Sequence, residues 1–225
     1  MMPYYVMKHD QLLKFAEMFY ALAIGEELPE DSDDLNTILK HLEQLETHKA
    51  RKEYAENNLK HLSSGSSRVV YLTPKGTVIK LSANDKGLAQ NKEEAHPAMK
   101  SKYLNPILRH AKSYVWIEVP FLKKITEKEF EKLTGLNFKD FGEALRYGLK
   151  SVSGNSHDKP KGFDKIKGSD IYQAMKEIGL KNKLLGGDLA RISSYGKKDD
   201  HPVLIDSGLT SKVFNDFYDE GSGSS

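Results

Sequence analysis

"SRVVYLTPKGTVIKLS", Ser67 to Ser82, decides how the rest of the chain is read. Two runs rich in β-branched residues, "SRVVYLT" and "GTVIKLS", are joined by Pro74, Lys75 and Gly76. A proline that presets φ followed by a glycine that tolerates a positive one is turn chemistry, so the stretch predicts a β-hairpin. In the second strand Lys80 lies between Ile79 and Leu81, and strand alternation turns its side chain to the face opposite theirs. A lysine so placed is either part of a solvated face or a cation reaching a ligand beneath the hairpin.

Before the hairpin stands "SSGSS", Ser63 to Ser67, a small-residue turn whose backbone amides can approach phosphate oxygens without side-chain obstruction. After it, "NDKGLAQNKEEAHPAMK" predicts a helix that Pro97 limits and that carries Glu93 and Glu94, either of which can pair with Lys80. "SYVWIEV" predicts a further buried strand, and Trp116 in it is read as core. The pattern is helical from Thr126 to Leu185, interrupted by the polar loop "SVSGNSHDKPKG". "HPVLIDSGLT", His201 to Thr210, is a buried-looking strand that ends on Asp206, with Gly208 two places later. Asp, Ser and Gly stop strands in ordinary turns, and the same arrangement also aims a carboxylate at a metal borne on phosphate.

Upstream, Leu12, Leu13, Phe15, Ala16, Phe19, Tyr20 and Ala23 predict a helix over residues 9–25. Beyond the acidic linker "EELPEDSDD", Leu35, Ile38, Leu42 and Leu45, then Tyr54, Leu59 and Leu62, predict a longer second helix. Residues 1–62 are expected to form an N-terminal helical hairpin, packed on the main domain or offering a surface to a partner or a second copy. The closing "GSGSS", residues 221–225, reads as a flexible linker outside the fold.

The 225 residues, 38% hydrophobic and 29% charged, suffice for one good core or a two-part domain. The net charge of +2 comes from 34 basic and 32 acidic residues that are well mixed, so no basic stripe points to nucleic acid. The lack of cysteine excludes disulfides, thiolate zinc sites and cysteine nucleophiles. With neither a leader pattern nor a run of membrane-spanning length, a cytoplasmic protein that does not engage a membrane is expected. The histidines are scattered, with His157 beside Asp158 in the polar loop, and none shows the spacing of a zinc site; no GxSxG occurs.

A small-residue turn, a hairpin with "VIK", a helix bearing glutamate, a strand running into "IEVPFL", a helical region, "GGDL" and then "VLIDSG" occur in an order that resembles the protein-kinase-like superfamily, aminoglycoside kinases included, over roughly residues 63–210. It looks like a small, divergent kinase-like protein of bacterial or phage type. The resemblance implies an α+β, two-lobed fold: an antiparallel β small lobe over residues 63–122 and a reduced helical large lobe over 123–220. It implies ATP and magnesium as cofactors. On it, the turn at Gly65, Ser66 and Ser67 covers phosphate, Lys80 holds the α- and β-phosphates, and Glu94 is its helix partner. "WIEVPF" looks like the hinge, where the backbone of Glu118 and Val119 would bond adenine. Asp206 of "DSG" holds magnesium, and Asp188 of "GGDL" orients the acceptor hydroxyl or acts as its base.

Two departures stand out. The family's second metal ligand, an asparagine five residues after the catalytic aspartate, is Ser193 here, a poorer magnesium ligand. After Gly208 only a short tail remains, with no APE-like anchor and no peptide-docking platform. The expected activity is transfer of phosphate to a hydroxyl, on a protein Ser or Thr in preference to a small molecule. A pseudokinase that binds partners through its N-terminal helices, and a kinase-fold AMP transferase, are the alternatives.

Overall fold

The computed structural model describes residues 32–98, 100–152 and 158–218. The helix expected over residues 9–25, the middle of the polar loop and the tail 221–225 lie outside the described residues. The chain is α+β, with a five-stranded antiparallel sheet, a separate two-stranded hairpin and several helices.

The long helix expected from Leu35 to Leu62 is instead two helices and a strand. Helix α1 (Ser32–Gln44) buries Leu35, Ile38, Leu39 and Leu42 along one stripe. A new helix, α2 (His48–Asn58), starts at Thr47, whose extended backbone and side chain, accepting from the Ala50 N–H, form an N-cap. The next residues, Lys60–Ser64, are strand β1, an almost wholly exposed polar edge. The boundary expected at residue 62 therefore falls inside a strand, and Ser63 and Ser64 belong to that strand.

Strands β2 (Arg68–Leu72) and β3 (Thr77–Ser82) form the expected hairpin, with Gly76 at φ 71° in its turn. Helix α3 (Asp85–Ala95), capped by Asn84, follows, and then β4 (Arg109–His110) and β5 (Trp116–Pro120). The sheet order is β1-β2-β3-β5-β4. Tyr71 stands opposite Ile79, and Val70 opposite Lys80, so each strand presents one set of side chains to each face. Val69, Tyr71, Ile79, Leu81 and Trp116 share a core with α1 and α2, where the Trp116 indole donates to the Leu39 carbonyl. Leu72, Val78, Ile117 and Val119 pack on the opposite face, with Ala95 of α3 against them.

Helix α3 can approach the sheet this closely because of Gly87. A Cβ there would stand 1.9 Å from the Ser67 carbonyl oxygen.

The second half of the chain builds its own core. Helices α4 (Glu127–Thr134), α5 (Phe138–Val152), α6 (Phe163–Lys167) and α7 (Asp170–Lys181) are followed by the single turn α8 (Gly186–Leu189). Strands β6 (Tyr195–Lys198) and β7 (His201–Leu204) form the hairpin that precedes Asp206, and α9 (Ser211–Tyr218) closes the described chain. Phe130, Phe138, Phe141, Tyr172, Met175 and Tyr195 fill this core. The hairpin is tied back to the chain between α3 and β4 by a parallel bridge from Leu104 to Leu204. Among the described residues, no helix is long and apolar enough to cross a membrane.

Candidate functional site

Four charged side chains meet between the sheet, α3 and the segment after β7. Lys80 projects from β3 on the face that α3 covers, and its Nζ donates to Glu94 Oε1 and, at 2.7 Å, to the Ile205 carbonyl. Arg68, at the start of β2, donates from Nη1 to Glu94 Oε2 at 2.6 Å and from Nη2 to Asp206 Oδ1 at 2.5 Å. Glu94 thus receives both cations, one on each oxygen. Lys80, Glu94 and Arg68 are all buried, whereas the Asp206 side chain is 57% exposed at the open side of the cluster.

The choice between the two glutamates falls to Glu94, because Glu93 turns outward to Lys212 at 3.8 Å. Asn91, one helical turn before Ala95 and fully buried, braces the arrangement. Its amide donates to the carbonyls of Lys80 and Tyr114, and its oxygen receives the Arg68 guanidinium at 3.4 Å.

Two positive neighbours decide the charge state of Asp206. Desolvation by the surrounding protein pushes its carboxyl up, but Arg68 and Lys80 outweigh this and hold it below the usual carboxylate range. For Arg68 burial works against the charge, and Asp206 and Glu94 together raise its pKa above the ordinary value. Gly208 is required by space: a Cβ would come within 2.8 Å of the Gln90 carbonyl oxygen and 3.2 Å of Arg68 Nη1. The glycine of "DSG" therefore lets α3 and Arg68 pass beside Asp206.

Asp188 lies in α8, with Arg191 Nη1 3.4 Å from its carboxylate. Burial pushes its carboxyl up, Arg191 opposes this, and the negative charge of Asp206 adds to the rise, so the two aspartates are neighbours in the electrostatic sense. Ser193 is exposed in the 3-10 turn Ile192–Ser194 that follows.

The turn at residues 65–67 is largely pinned. The Gly65 N–H donates to the Arg68 carbonyl, the Ser66 carbonyl accepts from Asn84, and Ser67 Oγ donates to Gln90. The Gly65 amide is thus engaged in closing β1 onto β2.

The two residues expected to form the hinge, Glu118 and Val119, lie in the sheet. Both residues lie inside β5 and pair with β3, Glu118 also pairs with Arg109 of the two-residue β4, and the Glu118 carbonyl already accepts from the Leu108 N–H at 2.9 Å. The Glu118 side chain is held by Thr77 and Arg109, and the Arg109 guanidinium reaches Asn36 of α1. Val119 is buried against Val78. The chain leaves the sheet only after Pro120, where Phe121 is exposed, and Lys123 and Lys124 then run beside β6.

Sequence reasoning did not single out Arg68, Asn91 or Gln90. The signal for Arg68 was present: once Val70 is paired with Lys80 across the Pro-Lys-Gly turn, alternation puts Arg68 on the lysine's face.

The donor set suits a metal that arrives with phosphate. Asp206 is ionised and exposed and Asp188 is near it, but among the described residues no group of three or more His, Asp or Glu side chains could hold a metal ion alone. Magnesium binds through one or two carboxylates completed by phosphate oxygens and water, and Asp206 and Asp188 are the two carboxylates here. No family model and no curated protein matches the chain.

Proposed function

We propose that the protein is an ATP- and magnesium-dependent phosphotransferase of the protein-kinase-like type, acting on a hydroxyl acceptor, with a protein Ser or Thr favoured. On this reading the five-stranded sheet with α3 is the small lobe, the helical half is a reduced large lobe, and residues 121–124 join them. The observation that carries it is the Lys80–Glu94 ion pair between strand and helix, with Asp206 close enough for Lys80 to lower its pKa. That is the arrangement by which a buried lysine is held toward phosphate.

Magnesium on the phosphates would supply charge neutralisation at the reacting group. The protein's part is to position and stabilise. Lys80, kept extended by Glu94 and the Ile205 carbonyl, would hold the phosphate chain. Asp206 would hold the ion. Asp188 would accept a hydrogen bond from the acceptor hydroxyl and turn its oxygen toward the phosphate.

A second reading, a pseudokinase that serves as a binding module, has one observation in its favour. Arg68 already places a cation on Asp206, where a metal would otherwise sit. ATP labelled separately at the α- and γ-phosphates decides between the readings. Transfer of the γ label alone, reduced about a hundredfold or more by Lys80→Ala, is expected. Transfer of the α label would make the protein an AMP transferase. Transfer of neither label, with a protein substrate mixture present, would leave the pseudokinase.

A further inference from the structure

We propose that Arg68 is a nucleotide-binding residue: it guards Asp206 in the unloaded site and passes to a phosphate oxygen when Asp206 takes up the metal. This rests on the phosphotransferase reading and adds to it a phosphate ligand that neither the motif order nor the spacing supplies.

The argument starts from the charge count of the cluster. Arg68 and Lys80 face Glu94 and Asp206, two cations against two carboxylates, joined by ion pairs in a largely buried place. One guanidinium arm is held by Glu94 and Asn91, which are themselves buried. The other arm ends on Asp206, the only exposed member. Nη2 therefore stands at the edge of the site, and the rest of the side chain is fixed behind it.

A metal on Asp206 competes with Arg68 for one carboxylate, and at Oδ1 it displaces the guanidinium arm. A buried guanidinium cannot be left with an empty arm, since an uncompensated buried charge is strongly unfavourable. Phosphate oxygens are the acceptors that would be present, and a guanidinium pairs with them by short, charge-assisted hydrogen bonds. Arg68 also follows directly on the turn at residues 65–67, so its backbone is anchored beside the place where phosphate would lie. Metal and nucleotide are in this way linked through one side chain: without phosphate, Arg68 competes with the metal for Asp206; with phosphate, it helps to hold the nucleotide.

Two equilibria with opposite expected shifts provide the test. Manganese binding to the nucleotide-free protein is followed by electron paramagnetic resonance, and magnesium–ATP binding by titration calorimetry, in the unaltered protein, Arg68→Gln and Arg68→Lys. Circular dichroism checks each fold. Arg68→Gln should bind manganese alone more tightly and magnesium–ATP about tenfold to a hundredfold more weakly. Arg68→Lys, which keeps the charge but lacks the two separated arms of the guanidinium fork, should fall between, and it carries the comparison alone if Arg68→Gln does not fold. If the unaltered protein binds ATP and both variants bind it equally well, Arg68 is not a phosphate ligand and only this proposal falls. Weakening of both equilibria together assigns Arg68 a structural role and overturns it too. If the unaltered protein does not bind ATP at all, the phosphotransferase reading itself fails and takes this proposal with it.

Discussion

Asp188 and Asp206 share one neighbourhood, yet their protonation equilibria are pushed in opposite directions. Burial raises Asp188, so the folded protein holds that proton more tightly than the unfolded chain does. The stability it contributes is fully present below the unfolded pKa, near 4, and is lost as pH rises through the folded value. Asp188→Asn should therefore melt higher than the unaltered protein at about pH 7, with the difference closing toward about pH 4. Asp206 has the reverse sign: its lowered pKa gives stability above the unfolded value that is lost as pH falls through the folded one. Asp206→Asn should accordingly melt lower at about pH 7, because it also leaves an arm of Arg68 without its anion. Thermal melts of both variants across this pH range check the pair. Equal shifts of one sign would contradict the assigned electrostatics. These opposite environments were not legible in the sequence, which shows two aspartates at a suitable separation but neither the burial of one nor the arginine beside the other.

The β2–β3 hairpin and α3 are the elements that set the site, and at Gly87 the helix lies close against the Ser67 and Ser82 backbone. An alanine there would drive its Cβ into the Ser67 backbone, which is itself pinned through its carbonyl to the Ala83 N–H. Gly87→Ala should cost about 3 kcal/mol or more in a denaturant titration, as overpacking against backbone cannot be relieved by a rotamer change. A variant as stable as the parent would show that α3 can slide outward. Such a slide would also part Glu94 from Lys80. The hairpin itself was legible, because turn chemistry and alternation agree over sixteen residues. Strands β1 and β4 were not: "KHLSS" is polar and exposed, and Arg109–His110 is only two residues long, so neither has a buried face to leave a pattern. Without β4 in view, Glu118 looks like free backbone, because only a strand laid beside it engages its carbonyl. The break at Thr47 was hidden because apolar spacing continues across a cap that depends on one threonine.

For the molecule as a whole, α1 and α2 complete the sheet's core and are not an appendage. Leu35 and Leu42 are fully buried among residues of β2, β3 and β5. Leu42→Ala is expected to destabilise the entire sheet by about 2–5 kcal/mol, the usual cost of emptying a leucine's place in a core. If α1 unfolded alone, hydrogen exchange in β3 would remain unchanged in this variant, and the helices would count as a detachable partner surface. Apart from β1, β4 and the break at Thr47, the order of elements was legible at this scale because each has its own period; how two cores share one charged cluster was not, since the residues involved are far apart in the chain. That distance bears on biosynthesis. The five strands and α3 have all left the ribosome once Pro120 is out, so the sheet is complete early in translation. Its charged cluster is then one anion short, with Arg68 and Lys80 sharing Glu94, and the missing carboxylate comes 138 residues after Arg68. That local cluster therefore carries an unbalanced positive charge until nearly the last of the described chain has been synthesised, so that a truncated product lacks the one residue that closes its electrostatics.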